Sequence, residues 1–177
     1  MSGTALIRLA VDRMAVLLGA EPELAKAFGR LERATTERKL KTFCKEGVTY
    51  TNRRVRRLKA AFRALGLKAE PAKSEALPGL IADALAAARG TPKERRDAAI
   101  LAAIEPISHY GLALYTAIDR DLDGAAAKKA RKLLAPSAKE KREAIAEMDG
   151  MAKKQVKALL QDPVAEKKGR KRQRKKR

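Results

Sequence analysis

The chain has 177 residues, of which 35% are charged and only 3% are aromatic, and it contains no Trp. This composition argues against a β-rich fold and favours a single all-α domain, because the β-branched and aromatic runs that form strands do not occur. The net charge of +20 predicts a polyanionic partner such as nucleic acid, anionic lipid or an acidic protein.

The N-terminal 19 residues contain an apolar stretch that Arg8, Asp12 and Arg13 interrupt. This pattern predicts an amphipathic helix rather than a secretion signal, and no apolar run is long enough to span a membrane. The single cysteine, Cys44, cannot form an internal disulfide and suits a reducing compartment. We therefore expect a cytoplasmic protein in which Cys44 is a small core residue rather than a reactive thiol.

Two long helices are predicted in the first third of the chain. The first covers about 4–34, and Pro22 is expected to kink it or to start a new turn. A cap at 35–37 precedes the second helix, which runs to Leu65 and ends at Gly66. Its predicted inward face consists of Leu40, Cys44, Gly47, Thr51, Val55, Leu58, Phe62 and Leu65. The other side is basic.

A linker with two prolines and a short helix ending near Gly90 lead to the third long helix, which Thr91-Pro92-Lys93-Glu94 is predicted to cap. Its predicted inward face consists of Leu101, Ile104, Ser108, Gly111, Tyr115, Ile118 and Leu122. The only histidine, His109, lies between two residues that are unusually small for a core position. This part of the helix indicates either tight packing or the floor of a site.

The last helical region, 125–161, contains Pro136, followed by a second capping pattern from Ser137 to Glu140. An interruption and restart of the helix are therefore expected there. Together the segments predict an antiparallel four-helix bundle with an extra short helix over 1–162. Residues 163–177 are predicted to be a disordered polybasic tail.

The end of this tail, 167–177, carries nine basic residues and no acidic residue, and without it the net charge is +11. The nine are Lys167, Lys168, Arg170, Lys171, Arg172, Arg174, Lys175, Lys176 and Arg177. We expect them to bind phosphates of nucleic acid or another polyanion without sequence preference. Arg53, Arg54, Arg56 and Arg57 are a candidate second contact surface. The alternatives are a solubilising tail and a merely solvated helix face.

A series of short motifs occurs in a characteristic order between residues 14 and 160. They are Ala20-Glu21, Thr51, Val55, Arg57-Leu58, Leu65-Gly66, Gly79-Leu80-Ile81, Asp97-Ala98-Ala99, His109-Tyr110, Tyr115 and Leu133-Leu134. In this order the chain resembles the YciE/YciF group of bacterial ferritin-like stress proteins. The resemblance implies a ferritin-like bundle and a role in stress. We also expect a homodimer.

The resemblance also implies a site for two iron or manganese ions, held by Glu and His side chains from facing helices. Four of the implied ligand positions are substituted, since they contain Gly47, Tyr50, Ser108 and Gly111. Replacing carboxylates by Gly and Ser removes buried charges that would be unfavourable without metal. Lys141, near the same level, would repel a cation.

The remnant ligands that the resemblance leaves are Glu21, His109 and Glu140. Each also has a simpler interpretation. Glu21 can be a helix carboxylate beside a proline, His109 a partly buried side chain hydrogen-bonded inside the bundle, and Glu140 the capping partner of Ser137. We expect no cofactor, with iron or manganese as the alternative if the remnant site binds metal.

Three functions remain open from the sequence. The first is a non-enzymatic stress-associated protein that has lost the metal site and binds nucleic acid or another polyanion. The second is a metal-handling enzyme, either a ferroxidase or a peroxide-consuming protein, with an atypical site. The third is a structural homodimer without a ligand.

Overall fold

The computed structural model describes residues 2–125 and 127–160, of which 86% are helical. The helices are α1 (Ser2–Ala34), α2 (Arg38–Ala64), α3 (Ala76–Gly90), α4 (Lys93–Asp121) and α5 (Lys128–Leu160). No strand occurs within these residues, which confirms the all-α prediction. The predicted tail, 163–177, lies outside the described residues.

The four long helices form a square bundle. Helix α1 packs against α2, α2 against α5, α5 against α4 and α4 against α1, while α3 covers the side formed by α1 and α4. Arg13 near the start of α1 pairs with Asp121 at the end of α4, so these two helices are antiparallel. Arg57 late in α2 contacts Ser137 early in α5, so this pair is antiparallel too. The predicted ferritin-like antiparallel bundle is confirmed.

The predicted boundaries of α2 agree with its capping. Glu37 accepts a hydrogen bond from the backbone N–H of Leu40 at 2.6 Å, as an N-cap residue does. The carboxylate of Asp97 on α4 accepts from the N–H groups of Thr36 and Glu37 at 3.0 and 2.8 Å. Gly66, with φ of 72°, follows the helix in the left-handed conformation that glycine adopts without strain. Asp97 therefore joins the start of α2 to α4.

The expected break at Pro136 is wrong, and so is the expectation that Pro22 starts a new turn. Both prolines lie inside continuous helices of 33 residues. An internal proline costs a helix about 3 kcal/mol. Packing of the bordering apolar residues offsets this cost, because Ala20 and Leu24 beside Pro22 and Leu134 and Ala138 beside Pro136 are buried.

The core consists of two hydrophobic clusters separated by a polar layer. One cluster contains Leu24, Phe28, Leu40 and Ile104 among others, and Cys44 lies fully buried in it. Burial raises the pKa of the Cys44 thiol to about 12, in keeping with the predicted core role. The second cluster includes Met14, Leu17, Leu58, Phe62, Tyr115 and Ile118. The buried polar residues between them are Glu21, Thr51, Arg54, Ser108, Ser137 and Lys141.

By length and composition alone, α4 could cross a membrane, and among the described helices only α4 passes that test. Its inward face packs on α1, α3 and α5, and all seven residues predicted for that face are buried. An apolar helix that contacts three others in a bundle is ordinarily a core helix. We therefore describe α4 as a core helix of the bundle.

Candidate functional site

The polar layer is centred on a buried ion pair between α1 and α2. Arg54 is 4% exposed, and its Nε donates to Oε1 of Glu21 at 3.0 Å. The Nη2 of Arg54 donates to Oγ1 of Thr51 at 2.8 Å, and the Tyr115 hydroxyl from α4 donates to Oε1 of Glu21 at 3.2 Å. Burial is the largest influence and would lower the pKa of Arg54, but Glu21, Tyr115 and Glu140 together raise it overall. The guanidinium of Arg54 therefore stays charged although it is buried.

Glu140 of α5 is the second carboxylate of the layer, and three arginines of α2 surround it. Arg57 Nη2 lies 2.8 Å from its Oε1, while Arg53 Nη1 lies 3.6 Å from the same oxygen. Arg54 Nη1 lies 3.8 Å from Oε2. The guanidinium of Arg54 thus lies between Glu21 and Glu140 and connects α1, α2 and α5 electrostatically.

Lys141 contributes a third cation to the layer. Its side chain is 4% exposed, and burial followed by the nearby charge of Arg54 lowers its pKa to about 8, against the opposing effect of Glu21 and Glu140. Gly111 of α4 leaves the space that this side chain occupies. A Cβ at Gly111 would lie 2.9 Å from both Cε and Nζ of Lys141.

Gly47 plays a comparable part on α2, where the ring of Phe28 packs directly on it. A Cβ at Gly47 would lie 3.0 Å from the Phe28 ring. Next to this contact is a cavity of about 90 Å³. Its lining includes Tyr50, Arg54, Ser108, Glu140, Lys141 and Ala144, with Glu46, Glu143 and Glu147 beside them. The small residues singled out in the sequence thus make room for other side chains, and the cavity lies beside that packing.

The residues of the layer do not fit a centre for two metal ions. Glu21 and Glu140 each retain one buried oxygen without a hydrogen-bond partner, but arginines occupy their other sides. The ammonium of Lys141 adds positive charge where a metal would need anionic ligands. Within 2–125 and 127–160, no group of three or more His, Cys, Asp or Glu side chains is arranged to hold a metal.

The structure corrects the interpretation of His109. The side chain is 55% exposed, and its Nε2 lies 3.9 Å from Oε1 of Glu105 on the outside of α4. It is therefore neither a remnant metal ligand nor a partly buried histidine inside the bundle. The reason is helical periodicity: Ser108 and Gly111 face inward, and the residue after Ser108 is rotated by about 100° away from that face.

Two further expectations are corrected. Glu140 is not the capping partner of Ser137, because both lie inside the continuous helix α5 and both contact arginines of α2. Arg54 is not part of a surface, since it is buried against Glu21. Arg53 and Arg56 are exposed and Arg57 is half-buried, so the candidate second surface loses one of its four members.

The sequence did not lead us to predict that Arg54 is a buried structural cation, because its charge suggested that it is exposed to solvent. Its spacing could have revealed it, since Arg54 lies three residues after Thr51 and four before Leu58, on the predicted inward face. A buried acid such as Glu21 also requires a cation nearby. Lys141 was recognised only as a residue that would repel a metal.

The outer surface of the bundle shows a strong asymmetry of charge. Helices α2 and α5, which pack side by side, carry twenty basic and five acidic residues, a net charge of +15. Helices α1, α3 and α4 together carry ten basic and ten acidic residues. Except for Arg54, Arg57 and Lys141, all the basic residues of α2 and α5 are exposed. We call this exposed set on α2 and α5 the basic face.

Residues 11–161 match a protein family described as "Domain of unknown function (DUF892)". The chain belongs to this family. Protein YciF of Escherichia coli K12 is 31% identical over 125 residues, which cover 70% of this chain and 75% of YciF. The resemblance to the YciE/YciF group is therefore confirmed.

Two solved structures of other proteins have the same fold as this chain. The crystal structure of the E. coli stress protein YciF superposes with a TM-score of 0.79 at 26% identity, covering 89% of this chain and 98% of that one. YcfI from Rhodopseudomonas palustris superposes with a TM-score of 0.76 at 23% identity, covering 81% of this chain and 92% of that one. The second likeness concerns the fold alone.

Proposed function

We propose that this DUF892 protein is a non-enzymatic, stress-associated ferritin-like protein that binds nucleic acid through its basic face and its C-terminal tail. The observation that carries the proposal is the segregation of charge. A net charge of +15 on two adjacent helices, against zero on the other three, produces a directed positive field rather than a uniformly solvated surface.

The chain order supports a joint role for the two basic elements. The nine basic residues of 167–177 follow α5, which is itself half of the basic face. The tail sequence is therefore joined to a helix that a polyanion bound along the basic face would contact. Since no aromatic residue occurs in 167–177, the contacts are with phosphates rather than with stacked bases.

The proposal includes a degenerate metal site. The buried carboxylate of Glu21 and the partly buried carboxylate of Glu140 pair with Arg54 and Arg57, so the charges that metal ions would balance are balanced by side chains. We expect purified protein to contain far less than one equivalent of iron, manganese or zinc, and to show no ferroxidase activity. One equivalent or more of bound metal, measured by elemental analysis, would favour the metal-handling alternative.

We also propose a homodimer formed through the outer face of α4. Between Ala98 and Ala117 the only charged residue is Glu105, in a chain with 35% charged residues. Ala102 and Ala113 on this face are exposed. Sedimentation velocity on the wild type and on Ala113→Arg tests it, since a monomeric wild type would contradict the dimer.

The single reduced cysteine supports a cytoplasmic location.

The nucleic-acid proposal is tested by fluorescence anisotropy with a short labelled DNA duplex at several salt concentrations. If about five or six phosphates are engaged by the tail, deleting 167–177 should reduce the magnitude of the slope of log affinity against log salt by about five. Weak binding should remain through the basic face. RNA and DNA of different sequence should compete similarly. An unchanged slope after deletion would remove the tail from the proposal.

A further inference from the structure

The cavity between α2 and α5 opens in the middle of the basic face, and an aromatic ring lies at its mouth. All six aromatic residues of the chain are in the described part, and of these only Tyr50 is exposed, at 37%. Tyr50 also lines the cavity, together with the buried Phe28 and Phe43. Binding of a polyanion through its phosphates alone does not use this ring.

Arg53 completes a stacking surface at Tyr50. Its guanidinium carbon lies over the face of the Tyr50 ring, 5.3 Å from the ring centre. The two residues are three apart on α2 and therefore lie on the same side of the helix. The side chain of Arg53 is 45% exposed. Aromatic rings and guanidinium planes are the groups on which proteins stack unpaired nucleobases.

The charges at the rim of the cavity do not oppose a nucleic-acid backbone. Nζ of Lys139 lies 3.8 Å from Oε1 of the lining residue Glu143. Nζ of Lys39 lies 3.7 Å from Oε1 of Glu147, which also lines the cavity. Glu46, another acid of the lining, is exposed, and its carboxylate can accept from the N–H group that every unpaired base carries. The rim therefore suits an uncharged base, with phosphates on the surrounding basic residues.

We propose that Tyr50 and Arg53 stack an unpaired nucleobase, so that the basic face binds single-stranded nucleic acid through a contact that a duplex does not make. This inference rests on the proposed function and names the form of nucleic acid that the site takes. In a duplex each base is held between its neighbours and does not reach a ring between two helices.

The size of the cavity limits how the base is held. Its volume of about 90 Å³ is smaller than the space of about 150 Å³ in which a protein interior holds benzene, so the base is not buried whole. The face of the base rests on Tyr50 and its edge points into the cavity. Because every base has an aromatic face, the contact carries little sequence preference.

The test is fluorescence anisotropy on the full-length protein with a labelled single strand of about 12 nucleotides and with the corresponding duplex. Tyr50→Ala should weaken binding of the single strand about tenfold, because one stacked base is lost. It should leave duplex binding and the salt dependence of both forms unchanged, since no phosphate contact is removed. Tyr50→Phe should retain the wild-type affinity, and Thr49→Ala, which changes the exposed neighbour on α2, is the control.

The results separate this site from the proposed function. Binding of the duplex together with an unchanged single-strand affinity in Tyr50→Ala would overturn the stacking site alone, and so would equal weakening of both forms. Absence of binding of either form to the wild type would overturn the proposed function and this inference together.

A measurement on the wild type decides the proposal even if Tyr50→Ala does not fold. A single strand that contains 5-iodouracil is cross-linked to the protein with ultraviolet light, and the modified residue is located by peptide mass mapping. We expect the cross-link at Tyr50, with the half-buried Tyr110 of α4 as the internal reference. Cross-links distributed elsewhere, with none at Tyr50, would overturn the proposal.

Discussion

The end of the Lys141 side chain lies where Gly111 has no side chain, with an ideal Cβ of Gly111 only 2.9 Å from both Cε and Nζ of the lysine. Gly111→Val should therefore displace the lysine and destabilise the protein by about 1–3 kcal/mol through overpacking. In a Lys141→Ala background the same change should cost clearly less, because the space is then free. Urea unfolding of the four proteins of this cycle measures the coupling, and additive effects would contradict the contact.

The charge of Lys141 should make stability depend on pH. Its pKa is about 8 in the folded protein and 10.5 in the reference state, so folding opposes protonation of this group. The resulting penalty is fully present below pH 8 and disappears as the pH rises to about 10.5. Lys141→Met should then stabilise the protein by about 2–4 kcal/mol at pH 7, and the difference from wild type should shrink as the pH approaches 10.5. A gain that does not vary between pH 7 and 10.5 would contradict a buried ammonium.

The ion pair of Glu21 and Arg54 should be sensitive to the loss of one partner only. Arg54→Met leaves the Glu21 carboxylate buried without its cation and should destabilise by about 3–5 kcal/mol. Adding Glu21→Gln removes that charge and should restore part of the loss. Lys153→Ala, which breaks an exposed pair with Asp149, is the control and should change stability by about 0–1 kcal/mol. Thermal and urea unfolding provide the comparison.

The contact of Phe28 with Gly47 predicts a further loss on substitution. Because a Cβ would already lie 3.0 Å from the ring, Gly47→Val should destabilise by about 1–3 kcal/mol. Gly150→Val is the matched control, since that glycine of α5 is exposed and no atom lies within 4 Å of its ideal Cβ. If both variants unfold at the same urea concentration, the cavity beside Gly47 accommodates the added methyl groups.

The role of the basic face in DNA binding can be tested by making the same change of net charge on two different sides of the bundle. Arg56→Glu with Lys59→Glu alters two exposed residues of α2, whereas Lys93→Glu with Arg95→Glu alters two exposed residues of α4. Both pairs change the net charge equally. Only the α2 pair should weaken DNA binding by about tenfold or more and flatten the salt dependence by about two. Equal weakening by both pairs would mean that net charge alone drives binding.

The sequence by itself determined the all-α class, the four long helices and the inward face of α4. These followed because apolar residues recur at the helical period and because caps such as Glu37 and breakers such as Gly66 act locally. The family could also be identified from short ordered motifs. The same evidence showed that Gly47 and Gly111 occupy positions where carboxylate or imidazole ligands would be required.

Tertiary structure decided which residues are buried and which charged partners they meet on neighbouring helices. Whether Pro136 breaks a helix depends on packing against α2, which local signals do not contain. The burial of Arg54 and the pairing of Glu140 with arginines depend on which helix faces which, since each of these charges meets its partner on another helix. The exposed position of His109 could have been predicted from the helical period, because Ser108 and Gly111 face inward. The role of Gly111 could not be predicted from the sequence, because the lysine that fills its space is 30 residues away in the chain and on a different helix.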